Sequence, residues 1–395
     1  MRLAYLLADP GIPVGGTKGA SVHVAEICRA LAARGANVLL LAQRVQAPAP
    51  PGVRLVHLDP GPVPKGVEGE PARVIAADGF LRRAEPVLEA FRPDAVIERL
   101  SLFSGGFGVL AERLGATRLV EVNAPVAAER ADHFGLRHHD LATALEHRAL
   151  DRAHALVVSD ALLGWVRSRG AANTTVIANG VDAARFSHRA ATRGAMRASL
   201  DLVDREAIGF VGSLKPWHGL PVLLDAVERL ASERPRLSLL VVGDGPARGS
   251  LEQRARSRAL AGRVVLTGAV ANADVPAYLS ALDIAAAPFL PSDGFYFSPL
   301  KVVEAMAAGL PVIASRLGPI EAMLGGTGEL VTPGDSEALA DGLCRLLDDP
   351  ARTRALGEAA QVRARTQLSW DQIAERILVL LQTTQRPPAS LKAAV

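Results

Sequence analysis

"SPLKVVEAMAAGLPVIAS", residues 298–315, joins an apolar helical pattern to a short apolar strand pattern through a glycine. Ser298 is a favourable N-cap, and Pro299 suits the first helical position. Gly309 is followed closely by a proline and ends the element, so we predict a helix over about 299–308. One carboxylate stands inside this otherwise almost wholly apolar helix, and its partner must be found elsewhere in the chain or in a ligand.

Glu304 is that carboxylate, and it shares a stripe of the helix with Leu300, Val303 and Ala307. It should therefore be at least partly buried, where an unpaired carboxylate costs several kcal/mol. Lys301, on the same face, is the simplest partner. Lys301 itself lies in the first turn, where the helix dipole disfavours a cation unless an anion binds there. A ligand with phosphates near Lys301 and hydroxyls near Glu304 would account for both residues.

The chain has 395 residues, more than twice the usual size of one domain, so we expect two domains with separate cores. Its two cysteines, Cys28 and Cys344, lie far apart in apolar helical patterns and indicate free thiols in a reducing compartment. The apolar run after Arg2 is too short for a signal sequence. No stretch approaches the roughly 20 apolar residues of a membrane span. These features predict a cytoplasmic protein.

The charge pattern argues against a nucleic-acid partner. The net charge is only +3 although the pI is about 9.1, and the arginines are scattered without basic tracts. This leaves at most a peripheral attraction to anionic lipid. The histidines between His133 and His154 lack metal-ligand spacing, and neither a nucleophile elbow nor a Walker loop is present. We therefore expect neither a metal nor a cofactor.

Short apolar runs alternate with helical patterns along the whole chain, which predicts parallel sheets covered on both faces. The runs in the first half are "RLAYLLA", "ANVLLLAQ", "DAVIERL", "TRLVEV", "HALVVS" and "TTVIA"; those in the second half are "AIGFVG", "LSLLVVG", "RVVLTG", "IAAAPF", "LPVIAS" and "GELVTP". Two such series predict two doubly wound domains, 1–186 and 187–366. A final helix over 367–384 and a disordered tail over 385–395 complete the predicted organisation.

Two loops carry candidate chemistry at the ends of predicted strands. In "DPGIPVGGTKGASVHVAEICRAL", glycines such as Gly16 allow close approach of a phosphate or sugar to a helix start, although such turns are often only turns. In "FVGSLKPWHGLPVLLDAVERL", a strand ends at Gly212 and the loop presents Ser213, Lys215 and His218 as a cradle for a diphosphate. The alternative is that His218 simply packs this loop.

Together these motifs resemble the retaining GT-B glycosyltransferases of the large family-four type, which includes many bacterial cell-envelope and natural-product sugar transferases. The likeness is carried by "VGGTKGASVHVAEICRAL", "VIANGVDAARF", "FVGSLKPWHG", "VVGDGP", "LTGAV" and, most specifically, "SPLKVVEAMAAGLPVIAS". The motifs span Gly15 to Ser315, and "SW" at 369–370 resembles the start of the helix that returns to the first domain. The resemblance implies an α/β GT-B fold, with two Rossmann-like domains facing across a cleft.

The resemblance also implies metal-independent transfer of a sugar from a nucleotide-diphosphate sugar to an acceptor hydroxyl, with retention of configuration. The C-terminal domain would bind the donor, and the N-terminal domain a sugar, lipid-linked or small-molecule acceptor. Glu304 matches the family glutamate that accepts hydrogen bonds from the ribose. The implied residues are, for the donor, Gly16, Gly212, Ser213, His218, Val270, Ser298, Pro299, Leu300, Lys301 and Glu304; for the acceptor, Lys18, Glu98, Arg99 and Asn123; and for catalysis, Lys215, Asn123 and Glu304.

Several donor-site positions depart from the family pattern. Where the family often has an Arg directly after the glycine and a Lys six residues later, this chain has Ser213 and His218, so Lys215 is expected to supply the charge. The family's first glutamate corresponds to Tyr296, and Asp293 is the nearest acid.

Two positions of the predicted acceptor domain also depart from the pattern. Asn123 stands where a histidine is frequent, and so do Glu98 and Arg99. Because the replacements keep polarity, we favour an active sub-group of enzymes. The alternatives are an inactive GT-B-shaped sensor of nucleotide sugars and another enzyme on the same scaffold, such as an epimerase.

Overall fold

The computed structural model describes residues 1–64, 66–186, 190–292 and 294–384. The chain separates into two compact units, Asn179–Ser369 and a unit that combines Met1–Ala178 with the segment beginning at Trp370. The borders expected from sequence, after 186 and after 366, differ from these divisions by eight residues (186 against 178) and three residues (366 against 369). The predicted tail, 385–395, lies outside the described residues.

The N-terminal unit is built on one sheet of seven parallel strands. Its strands are β1 (Arg2–Leu7), β2 (Asn37–Ala42), β3 (Val53–His57), β4 (Ala95–Arg99), β5 (Thr117–Val122), β6 (His154–Val157) and β7 (Asn173–Val176). Its helices are α1 (Gly19–Ala33), α2 (Glu70–Phe91), α3 (Phe107–Arg113), α4 (Val126–Phe134), α5 (His139–Leu150) and α6 (Leu163–Ser168). The spatial order is β3-β2-β1-β4-β5-β6-β7, so the direction of winding reverses between β1 and β4.

The C-terminal unit repeats this plan with six parallel strands. It contains α7 (Ala190–Ser199), β8 (Glu206–Val211), α8 (Leu220–Leu230), β9 (Leu237–Val242), α9 (Arg248–Ala255), β10 (Val264–Gly268), α10 (Val275–Ser280), β11 (Ile284–Ala287), α11 (Leu300–Ala307), β12 (Val312–Ser315), α12 (Gly318–Leu324), β13 (Glu329–Val331), α13 (Ser336–Asp348) and α14 (Pro350–Gln367). The order β10-β9-β8-β11-β12-β13 reverses between β8 and β11. Ligands of such sheets bind outside the carboxyl ends of the strands at this reversal.

All twelve predicted strands are present, and both sheets are covered on two faces as expected. In β1 the five residues after Arg2 are all fully buried, which is typical of a parallel strand between two layers of helices. Separate apolar clusters lie on the two faces of the C-terminal sheet, one around Met306 of α11 and the other around Leu343 of α13. The cysteines, Cys28 and Cys344, are free thiols.

The last helix, α15 (Trp370–Thr384), belongs to the N-terminal unit and packs on α1. The ring of Trp370 contacts that of His23 edge-on, with 5.2 Å between centroids. Arg34, directly after α1, forms an ion pair of 3.1 Å with Glu375. Within the described ranges, no helix is long and apolar enough to cross a membrane.

Candidate functional site

The segment before α11 is held by a residue that the sequence analysis did not single out. Pro299, not Ser298, is the N-cap of α11, and Ser298 makes no capping bond with its side chain, which corrects that prediction. Instead, the Ser298 hydroxyl accepts a hydrogen bond of 2.8 Å from the backbone N–H of Asn179. The Asn179 side-chain amide donates to the Ser298 carbonyl over 2.6 Å. The hydroxyl keeps its own proton, so it can still donate to an anion at the start of α11.

Glu304 is partly buried on α11, as its stripe predicts. Burial raises the pKa of its carboxyl to about 7, against the opposing charges of Arg185 and Lys301. Within the described part of the chain, Glu304 forms neither a side-chain hydrogen bond nor an ion pair. The simple internal pair with Lys301 is therefore not formed, and the carboxylate lacks partners for its lone pairs.

Lys301 turns its ammonium group toward aromatic rings. Its Nζ lies 3.9 Å from the ring centroid of Phe210, 5.1 Å from that of Phe289 and 3.3 Å from Nδ1 of His218. Burial lowers the pKa of Lys301 to about 7, with only partial compensation from the charge of Glu304. An anion bound beside Lys301 would restore the charged form, because it supplies the counter-charge that the protein lacks.

His218 is both packed and polar. It lies among aromatic rings, with 5.1 Å between its centroid and that of Phe289, as the packing alternative expects. Its Nδ1 is 2.6 Å from the Ser213 carbonyl, so this nitrogen carries a proton and donates it there. Burial, followed by the charge of Lys301, lowers the pKa of His218 to about 3. The neutral ring can therefore take part in hydrogen bonds, but it adds no positive charge to the site.

Glycines bring the loops after β8 and β9 into backbone contact. Gly212 has φ +135°, and a Cβ there would lie 3.0 Å from Cε of Lys301. A Cβ on Gly243 would lie 1.9 Å from the Gly212 carbonyl oxygen, closer than any real contact. The turn around Gly243 therefore has a structural role. Its next residue accepts a backbone hydrogen bond of 2.9 Å from Leu214, which positions the loop that carries Lys215.

Lys215 and Arg185 add two cations to this edge of the C-terminal sheet. Lys215 is partly buried with its Nζ 5.5 Å from the Trp217 ring, and it joins no ion pair among the described residues. Arg185 lies close enough for its charge to oppose the raised pKa of Glu304. The Nε of Arg185 is buried without a hydrogen-bond partner in the described chain. Both Arg185 and Asn179 occur in "VIANGVDAARF", so that motif contained the signal that the site assignment missed.

The remaining residues considered for the donor site differ in their burial and contacts. Val270 is partly buried against the core cluster around α11. The Tyr296 ring contacts that of Phe297 at a tilt of 40°, with 4.4 Å between centroids. Asp293 lies outside the described residues. Among those that are described, no group of three or more His, Cys, Asp or Glu residues could hold a metal ion.

In the N-terminal unit, the loop before α1 is tightly packed. Gly15 has φ +82°, and a Cβ on it would lie 2.2 Å from that of Ala47. A Cβ on Gly16 would lie 2.6 Å from the Ser21 hydroxyl oxygen, so this glycine is needed for packing. Lys18, the N-cap of α1, is exposed and makes no capping bond with its side chain. It is therefore accessible to a ligand.

A buried carboxylate organises the residues at the end of β5. Glu121 accepts hydrogen bonds from the Tyr5 hydroxyl over 2.9 Å and from the Asn123 side-chain amide over 2.5 Å, and it pairs with Arg99. His23 Nε2 lies 2.9 Å from the same carboxylate. Although burial opposes ionisation, His23 and Arg99 hold the pKa of Glu121 far below its usual value. Because Asn123 uses N–H toward Glu121, its carbonyl oxygen remains available as an acceptor.

Glu98 and Arg99, which the sequence assigns to the acceptor, are buried and paired within the protein, and their role in acceptor binding stays a prediction. Glu98 is 0% exposed and pairs with Arg118 over 2.9 Å. Arg99 is 6% exposed, and its guanidinium group neutralises Glu121. Both side chains have internal electrostatic partners that the order of residues along one strand could not reveal.

Two family models match the chain. The model described as "Glycosyltransferase Family 4" covers residues 17–185, and that described as "Glycosyl transferases group 1" covers residues 205–349. A D-inositol 3-phosphate glycosyltransferase of Xylanimonas cellulosilytica is 30% identical over 97% of this chain and 95% of that protein. The chain belongs to glycosyltransferase family 4.

Other curated glycosyltransferases agree with this assignment. The D-inositol 3-phosphate glycosyltransferase of Salinispora tropica is 30% identical over 94% of this chain and 82% of its own length. A GDP-mannose-dependent α-(1-6)-phosphatidylinositol monomannoside mannosyltransferase of Mycolicibacterium smegmatis is 32% identical over 51% of this chain and 54% of that protein. The family-4 assignment therefore extends over both units.

Solved structures show that this glycosyltransferase has the GT-B fold, with two parallel-sheet α/β domains. Sucrose-phosphate synthase from Thermosynechococcus elongatus superposes with a TM-score of 0.78 at 23% identity, over 97% of this chain and 99% of that one. HepE from Anabaena, solved with UDP-glucose, gives a TM-score of 0.73 at 20% identity, over 97% and 100% of the two chains.

Proposed function

We propose that this glycosyltransferase moves a sugar from a nucleotide-diphosphate sugar to an acceptor hydroxyl, with retention of configuration and without a metal ion. The observation that carries the proposal is a set of charged side chains around α11 that lack partners for their charges. Glu304 has no protein partner in the described chain, while Lys301 and Arg185 lie near it without forming an ion pair to it. A ligand with a diol and a diphosphate would satisfy these residues together.

Each part of the donor has a matching group in the C-terminal unit. The Glu304 carboxylate accepts hydrogen bonds from the two ribose hydroxyls. The diphosphate lies at the start of α11, where Ser298 donates its hydroxyl proton and the first backbone N–H groups of the helix point outward. Lys301 and Lys215 supply positive charge. The base lies near Val270, at the end of β10.

In the reaction, the bond between the anomeric carbon and the diphosphate oxygen breaks, and a bond from that carbon to the acceptor oxygen forms. Negative charge grows on the departing diphosphate, where fixed cations stabilise it in the transition state. Lys215, Lys301 and Arg185 provide that charge from protein side chains, which is why we propose chemistry without a metal. For retention, the acceptor hydroxyl attacks from the face that the diphosphate leaves, and its proton passes to the departing diphosphate oxygen.

We assign acceptor binding to the N-terminal unit, and the relatives' names suggest an acceptor class. Two of those relatives are named for inositol 3-phosphate and one for a phosphatidylinositol mannoside. We propose that this enzyme also uses a phosphorylated inositol as acceptor and that the reaction takes place in the cytoplasm. Lys18 is accessible for contact with the acceptor, and Asn123 offers its carbonyl oxygen to a hydroxyl group.

The proposal is tested by incubating the purified enzyme with UDP-, GDP-, ADP-, TDP- and CDP-sugars, with and without inositol 3-phosphate. Proton NMR of the product gives its anomeric configuration. We expect transfer with retained configuration that EDTA leaves unchanged, and a large loss of turnover in Lys215→Ala. An inverted product, or loss of activity in EDTA, would contradict the mechanism. Donor binding without transfer or hydrolysis would favour the inactive sensor, for which the supporting observation is that Tyr296 stands in place of the family's first glutamate.

A further inference from the structure

Two arginines of the N-terminal unit come from helices that pack together, because Ala77 of α2 and Ala127 of α4 belong to one apolar cluster. Arg73 belongs to α2 and Arg130 to α4, and both are partly buried. Helix α4 is tied to the segment before α2, because Nη2 of Arg130 donates to the Gly66 carbonyl over 2.8 Å. Burial and the charge of Arg73 lower the pKa of Arg130. Two like charges that act on each other in this way are unfavourable unless an anion binds between or beside them.

Both guanidinium groups have unused donors. The Nε atom of Arg73 and that of Arg130 are buried, and neither has a hydrogen-bond partner in the described part of the chain. Neither arginine forms an ion pair with a described carboxylate. A buried N–H without a partner is destabilising, so an anionic acceptor of hydrogen bonds is favoured here.

The two acids whose charge acts on Arg130 accept hydrogen bonds from other groups. Glu70 accepts backbone N–H bonds from Arg137 over 2.8 Å and from His138 over 3.0 Å, and a third contact of 2.8 Å from the His138 ring. Asp9 accepts the Gly11 backbone N–H over 2.7 Å. These carboxylates influence Arg130 only through space. Neither acid forms an ion pair with the two arginines in the described part of the chain, so an anionic ligand can still neutralise them.

The two arginines lie where a parallel sheet usually binds its ligand. Helix α4 begins four residues after the end of β5, and the connecting segment carries Asn123. Asp9, whose charge acts on Arg130, follows the end of β1. The carboxyl ends of β1 and β5 lie at one edge of the parallel sheet, which is the edge where α/β proteins bind ligands. The arginines thus lie at the same edge as the proposed acceptor contact of Asn123.

We infer that Arg73 and Arg130 bind the phosphate of a phosphorylated inositol acceptor. The inference rests on the proposed function and adds to it the residues that recognise the acceptor. A guanidinium group presents several N–H donors in a planar fork that matches phosphate oxygens. Two such forks discriminate strongly against an unphosphorylated polyol, since that ligand would leave both charges without a counter-ion.

The phosphate can come from a free inositol phosphate or from a phospholipid headgroup. Exposed apolar residues on the same two helices offer a way to distinguish these sources. Ile75 of α2 is 72% exposed, and Phe134 of α4 is 59% exposed. Arg130 lies 5.1 Å from the Phe134 ring. If the acceptor is a lipid, these exposed apolar side chains should contribute to vesicle binding as well as the arginines.

The test is calorimetric titration of the wild-type enzyme, saturated with its nucleotide, with inositol 3-phosphate and with myo-inositol. Flotation with phosphatidylinositol or phosphatidylcholine vesicles forms the second arm. Arg73→Gln and Arg130→Gln are compared with Arg82→Gln, which removes one charge from the exposed part of α2, where Arg82 pairs with Asp78.

We expect a phosphorylated ligand to bind about a hundredfold more tightly than myo-inositol, and each arginine variant to lose roughly ten- to a hundredfold, because charged hydrogen bonds are lost. Arg82→Gln should match wild type. Binding of inositol 3-phosphate identifies a free acceptor; binding of phosphatidylinositol vesicles alone, weakened by Phe134→Ser, identifies a lipid. If wild type binds neither ligand, or if both arginine variants bind as wild type does, the inference is overturned. Nucleotide binding, measured in the same samples, shows separately whether the proposed donor function holds.

Discussion

Glu304→Gln should change how donor binding depends on pH. The pKa of Glu304 is raised to about 7 in the free protein because the carboxyl is buried. A carboxylate accepts from both ribose hydroxyls, whereas a protonated carboxyl competes as a donor, so donor binding requires the ionised form. Below pH 7 the ionised fraction falls about tenfold per pH unit. Donor affinity should therefore fall about tenfold between pH 6 and pH 5.

Lys301 produces the opposite dependence at high pH. Its pKa is lowered to about 7 by burial, and the neutral amine formed above that pH does not attract a diphosphate. The affinity of wild type should therefore have a maximum near neutral pH. Glu304→Gln should abolish only the acid limb, and Lys301→Met only the alkaline limb. At neutral pH, Glu304→Gln should also lose about 1.5 to 3 kcal/mol of binding, the usual value of a hydrogen bond to a charged group.

The assay is calorimetric titration with the intact nucleotide sugar, whose diphosphate does not titrate over this range, and with its 2′-deoxyribose analogue. The deoxy analogue should bind more weakly than the natural donor to wild type but nearly equally to Glu304→Gln, as a double-mutant cycle requires for a direct contact. Glu321→Gln, an exposed change on α12, is the matched control. The reasoning would be refuted if the affinity of Glu304→Gln still fell below pH 7, or if both proteins lost the same affinity for the deoxy analogue relative to the natural donor.

Two further predictions concern the supports of the sites. Glu121→Gln should cost about 3 to 5 kcal/mol in urea unfolding, since it leaves the buried charge of Arg99 unpaired. The pKa of Glu121 is depressed, so its contribution to the free energy of unfolding is present above pH 4.5 and is lost as the pH falls below that value. The variant should therefore lose less stability than wild type on acidification. A stability equal to that of wild type at pH 7 would contradict this. Asn179→Ala removes the bond to the Ser298 carbonyl, so unfolding should become about 1 kcal/mol easier and donor binding weaker, whereas the exposed Asn173→Ala should change neither.

Local sequence patterns predicted most of the fold because parallel strands are buried on both faces and appear as continuous apolar runs. The missed strand, β3, shows the limit of that signal. It lies at the sheet edge, and its sequence "VRLVH" mixes charged and apolar residues that are mostly half-exposed. Its first residue pairs with Val38 of β2, and that pairing is a tertiary contact rather than a local pattern.

The candidate site was predictable where one helix carries it and less so where several segments meet. Glu304 was identified because a carboxylate in an apolar stripe needs a partner. Arg185 was missed because its proximity to Glu304 depends on the path of the chain after β7. Glu98 was assigned to the acceptor because a strand end is an ordinary place for a ligand contact. Only the packing of Arg118 shows that this carboxylate is internal.

We propose that the C-terminal unit binds a nucleotide through Glu304. A thermal-shift comparison of UDP, GDP, ADP, TDP and CDP against wild type and Glu304→Ala tests it most directly. A ligand at a hundred times its Kd stabilises the native state by about 2.7 kcal/mol, so the matching nucleotide should raise the Tm of wild type by several degrees. We predict that one nucleotide does so and that Glu304→Ala loses the shift. No shift with any of the five, or an equal shift in the variant, would contradict the account.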